Sequence, residues 1–139
     1  MMTTRLARLL LCAPIGLASL AAAQPAAAPA IPALAGLEAG DWALQIAGGG
    51  EARHMCLGDP AALLQVQHPG AQCTRHVVSN DAQSVTVHYN CAAAGSGRTT
   101  IRVETPRLAQ IDTQGFRNGA PFADRFEARH TGACKVARR

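Results

Sequence analysis

Apolar residues in this chain recur mainly at every second position, in short runs cut by glycine, proline and asparagine, which is the period of half-buried strands rather than helices. Between Asp41 and Ile46 the alternation puts Trp42, Leu44 and Ile46 on one face of a first strand. Gly48-Gly49-Gly50 is free to turn, and Glu51 to Leu57 returns as the second strand of a hairpin. Asp59-Pro60 reads as a helix cap with proline at the first helical position. Ala61, Leu63, Leu64 and Gln65 then favour one short helix, which His68-Pro69-Gly70 ends. Further on, Val77 and Val78 close one run and Ser79-Asn80-Asp81 turns the chain. Val85, Val87, Tyr89 and Cys91 share a face of the next strand. Gly95-Ser96-Gly97 is expected as another turn, followed by strands over Thr99 to Thr105 and Leu108 to Thr113. Asn118-Gly119 marks a last hairpin turn, and Phe122 to His130 completes the series with Phe122 and Phe126 inward.

Strands joined in succession by short turns predict a mainly all-β fold. It is an antiparallel meander, as a curved sheet or a small barrel-like sandwich, with one short helix covering one end. Aromatic residues make up only 4% of the chain, so the core is modest and depends on covalent staples.

The termini follow a different pattern. Arg5 and Arg8 precede an apolar run from Leu9 to Ala23, too short to span a membrane, and Ala21-Ala22-Ala23 offers the small residues that a signal peptidase reads. Residues 1–23 are therefore expected to be a cleaved signal peptide, leaving no transmembrane segment and removing Cys12. The Pro/Ala-rich stretch 24–35 reads as a spacer, 36–134 as the folded domain, and 135–139 as a basic tail. Cleavage leaves 116 of 139 residues, enough for a single core. The formal charge falls from +4 to +2, because only 11 of the 13 basic residues remain against 9 acids. No nucleic-acid partner is expected at that balance.

Four cysteines persist after processing, Cys56, Cys73, Cys91 and Cys134, and an even number in an exported domain argues for two disulfides. If Cys73 and Cys91 are apposed in their hairpin, Val77 faces Val87 and both valines point inward. The favoured pairing is accordingly Cys73 with Cys91 and Cys56 with Cys134. The competing pairing joins Cys56 to Cys73 across the short helix and Cys91 to Cys134. No C-x-x-C spacing supports zinc thiolates or a redox pair.

The order G-x-W (Gly40, Trp42), C-L-x-x-P (Cys56 to Pro60), Cys73, Cys91 and a terminal G-x-C (Gly132, Cys134) resembles domain-of-unknown-function family 3617 over about Gly36 to Cys134. His88 and Tyr89 stand where that family carries a tryptophan before its third cysteine. The resemblance implies an exported, periplasmic protein of unknown biochemical role, with no family catalytic residues to carry over.

The functional reading from the residues is a non-catalytic binding or structural module of the cell envelope. Its partner would be an envelope protein or a small ligand, and no cofactor is expected. One alternative is a small secreted enzyme inhibitor presenting the loop Gly95-Ser96-Gly97-Arg98, although a plain glycine turn accounts for that tetrapeptide. The other is a metal-binding protein. The register that apposes the cysteines also sets His76 across from His88 on the opposite face, and His54 or His130 would have to supply a third ligand. With two placeable ligands, a pair of wet polar residues is the preferred account. No catalytic residue is named: Ser96 lacks a nucleophile elbow, and Asp112, Asp124 and Glu127 read as solubilising charges.

Overall fold

The computed structural model describes residues 30–135. The expected signal peptide (residues 1–23), residues 24–29 of the expected spacer and 136–139 of the expected tail lie outside them. The described residues fold as one seven-stranded antiparallel sheet: β1 (Gly40–Ile46), β2 (Arg53–Leu57), β3 (Thr74–Asn80), β4 (Ser84–Asn90), β5 (Gly95–Thr105), β6 (Leu108–Arg117) and β7 (Ala120–Gly132). The spatial order is β2-β1-β7-β6-β5-β4-β3, so β3 to β7 run as a meander and β1 closes onto β7. The sheet stays open, with β2 and β3 as its edges. Closure would need those edges to meet, but the chain joining them, residues 58–73, crosses the apolar face as a cover.

That cover includes the expected short helix, present as a 3₁₀ segment over Pro60–Gln65, where the Asp59 carboxylate accepts from the Ala61 N–H at 2.9 Å. Leu63, Leu64, Val66 and His68 are buried beneath it. Strand residues of alternating parity complete the core: Trp42 and Leu44, Val85, Val87 and Tyr89, Ile101, Ile111, Phe126 and Ala128. Each fully buried large side chain among them contributes about 1.5–3 kcal/mol relative to exposure.

Three expectations are corrected. The Pro/Ala spacer ends earlier than residue 35, because Pro32–Ala35 forms a helix, α1, with Ala33 and Leu34 buried on the core. Proline suits the first helical turn, and Ile31, Leu34 and Leu37 recur at three-residue spacing, so this stretch has an apolar face that its composition conceals. The turn after Val78 is shorter than expected. A bulge between Val77 and Ser79 leaves Val78 exposed, β3 continues to Asn80, and Asn80 pairs with Val85.

The third correction concerns Gly95-Ser96-Gly97, which is the start of β5 rather than a turn. The chain reverses earlier, at the 3₁₀ segment Ala92–Ala94. Gly95 has φ +124°, and a Cβ there would meet the Phe116 carbonyl. Gly97 lies under the Tyr89 ring, and Gly115 lies against Ser96. These glycines permit close strand approach in the middle of the sheet.

Two disulfides staple the domain. Cys73–Cys91 clamps β3 to β4 with 18 residues between them and Cα atoms 4.1 Å apart. Cys56–Cys134 ties the edge strand β2 to the end of β7 across a separation of 78 residues. The competing pairing is not formed. Among the described residues, no helix is long and apolar enough to cross a membrane.

Candidate functional site

The face of the sheet opposite the cover is built from the residues that alternation turns away from the core. Cross-strand register arranges them in rows. His76 faces His88, His88 faces Arg98, and Arg98 faces Gln114. Alongside runs a second row of Thr74, Asn90, Ser96 and Phe116. The two rows line a cleft of about 840 Å³ across β3 to β6. The Gly97 and Gly115 backbones form part of its lining, and Phe116 is 55% exposed beside it.

Charge is segregated on this face. Towards the other end of the strands, Asp112 accepts from Arg125 at 2.6 Å, Glu127 from Arg129 at 2.7 Å and Glu104 from Arg102 at 3.1 Å. Among the described residues, no carboxylate lines the cleft. Arg98, His76 and His88 make no side-chain hydrogen bond or ion pair among the described residues. Arg75 at the same end is engaged, donating to the Gln65 side chain at 2.7 Å.

Beneath the cleft lies a buried polar support. The Tyr89 ring crosses Gly97, and its hydroxyl donates to His68 Nδ1 at 3.1 Å, while His68 Nε2 donates to the Ala94 carbonyl at 3.0 Å. Thr99 and Thr113 bond each other across the strands at 2.8 Å. Burial pushes the Tyr89 phenol above its ordinary value against the opposing pull of those threonines. Among the described residues, no buried side-chain nitrogen or oxygen lacks a partner. The sequence offered no sign of this support, because Gln65 read only as a helix former and His68 only as part of the helix end, whereas both are buried.

The histidines of the metal-binding alternative face each other as the register implies, but neither His54 nor His130 joins them. His54 is on edge strand β2, bonded to Asp41 at 2.8 Å, and His130 is on β7, donating to the Ala39 carbonyl at 3.2 Å and packed against Trp42. The His76–His88 pair is at the opposite edge of the sheet, and the residue next in its row is Arg98, a cation. No group of three metal-ligating side chains occurs among the described residues. The tetrapeptide offered for the inhibitor alternative is not a loop, since Gly95 to Arg98 lies within β5, paired by β4 and β6.

A second concavity of about 610 Å³ lies between α1, the 3₁₀ cover and β3, lined mainly by Ile31, Leu34, Ala61, Val77 and Val87. No protein family, curated protein or solved structure was found to match the chain.

Proposed function

We propose that this protein is an exported, non-catalytic binding module of the cell envelope, periplasmic in location, which takes its ligand on the open sheet face at the β3–β6 cleft. The observation that carries the reading is the 840 Å³ cleft beside Arg98, His76 and His88, three chemically capable side chains without partners among the described residues. Paired disulfides suit an oxidising compartment, and the charged and apolar pattern of residues 1–23 suits export. Kinship with domain-of-unknown-function family 3617 belongs to the same proposal and rests on the order of Gly40, Trp42, the four cysteines and Gly132. The cleft lies on regular strands over a bonded support, the rigid setting in which a ligand is held without ordering a loop.

The test is a fragment screen by amide NMR on oxidised protein beginning at Gln24. Saturable shifts should cluster on His76, His88, Arg98, Gln114 and Phe116. Ligands that map only to the α1–β3 groove, or to neither concavity, would remove the cleft from consideration.

A further inference from the structure

The charge pattern of this cleft also bears on what it holds. We propose that it takes a small ligand combining a phosphate- or sulfate-type anion with a flat apolar ring, an inference that rests on the binding reading above.

The anion follows from what the cleft contains and lacks. Arg98 is central in its row, with His88 on one side and Gln114 on the other. Directly paired side chains on neighbouring strands sit about 4.5–5.5 Å apart, so one tetrahedral anion over Arg98 is within reach of both neighbours. Arginine presents parallel N–H donors that match two oxygens of such a group. Asn90 and Ser96 in the adjoining row add neutral donors at the same level. Among the described residues no carboxylate lines this cleft, and Asp112, which shares an adjoining concavity with Arg98, is already bonded to Arg125, so its charge is offset where an incoming anion would sit.

The apolar ring follows from Phe116. It is one of only two large hydrophobic side chains exposed among the described residues, and it is the one bordering the cleft. A ring laid on it would cover apolar surface that water now contacts. The volume, about 840 Å³, lies within the range of small-molecule sites, which run from about 300 to 1,000 Å³. A divalent metal is a poorer match, because Arg98 adjoins the histidine pair and would repel it.

The experiment titrates oxidised protein beginning at Gln24 with phenyl sulfate, phenyl phosphate, inorganic phosphate and phenol at low salt, read by amide NMR. Phenyl sulfate and phenyl phosphate should both saturate the cleft resonances, and each should bind at least about tenfold more tightly than inorganic phosphate or phenol. Arg98→Gln should weaken phenyl sulfate binding by about ten- to a hundredfold, the effect of losing one charge-assisted contact. The side chain is exposed, so the rest of the spectrum should stay in place.

If phenol binds the cleft as tightly as phenyl sulfate, or Arg98→Gln leaves affinity unchanged, the anion inference is overturned while the cleft remains the binding face. If the aryl anions shift residues only outside the cleft, this inference is overturned, and the fragment screen then decides the binding reading.

Discussion

Replacing Gly115 by alanine tests whether close strand approach, rather than turn chemistry, explains the glycines in the middle of this sheet. A Cβ at that position would lie 2.1 Å from the Ser96 carbonyl oxygen and 2.6 Å from the Gly97 Cα, both main-chain atoms held by the β4 and β6 ladders. Ordinary contact begins near 3.4 Å, so β5 and β6 must part locally by about 1 Å. Overpacking of this kind costs about 1–3 kcal/mol, and each ladder hydrogen bond stretched with it adds about 1 kcal/mol. A loss of about 3 kcal/mol is therefore expected, which in a domain of this size lowers Tm by roughly 12–24 °C. The control is Gly58→Ala, where a Cβ meets nothing within 4 Å and φ is not positive. There the entropy removed from the unfolded chain should leave stability unchanged or raise it by about 0.4–1 kcal/mol. Calorimetric melts of both oxidised variants give the comparison. A Gly115→Ala protein melting within about 4 °C of the parent would refute the argument from close approach.

Loss of the long-range disulfide, by Cys56→Ser with Cys134→Ser, should cost about 4.5 kcal/mol in the chain-entropy account, against about 3 kcal/mol for Cys73→Ser with Cys91→Ser. Denaturant midpoints at equal slope check that ranking. The single tyrosine allows its ionisation to be followed by ultraviolet absorbance without overlap. Burial raises the Tyr89 phenol, so the folded state holds its proton longer than the unfolded chain does. Stability from this group is therefore intact below the unfolded value of 10.0 and should fall as pH rises beyond it, and a tyrosinate midpoint at or below 10.0 would contradict this. Asp41 shifts the other way. The Thr131 hydroxyl, and after it His54, stabilise its carboxylate and hold it below its ordinary value. Its contribution should be present above the unfolded value and disappear as pH falls through the folded one, and Asp41→Asn should flatten that part of the acid stability profile.

Much of the architecture was legible in the chain because strand alternation is a local property. Trp42, Leu44, Val85, Val87 and Tyr89 could be assigned inward from their spacing alone. The hairpin register that sets Val77 against Val87 also paired Cys73 with Cys91 and His76 with His88, since one register determines both faces of two strands. Residues whose role depends on a distant partner were misread. Gly95-Ser96-Gly97 has the composition of a turn, and only the proximity of Phe116 and Tyr89 shows why glycine is needed within a strand. Ile31 and Leu34 were hidden in a Pro/Ala stretch until the open apolar face of the sheet gave their helix something to cover.

The cleft divides along the same line. Sequence by itself determined the even cysteine count, the alternation that gives the sheet a wet face, and the facing histidines on it. Tertiary structure alone decided that the sheet stays open, because the chain between its edges is spent covering the core. It also decided that Arg98 completes the histidine row while His54 and His130 lie towards the other edge. Neighbours two or three strands away are set by sheet order, and sheet order depends on long-range closure such as β1 onto β7, which leaves no mark in the local spacing of residues.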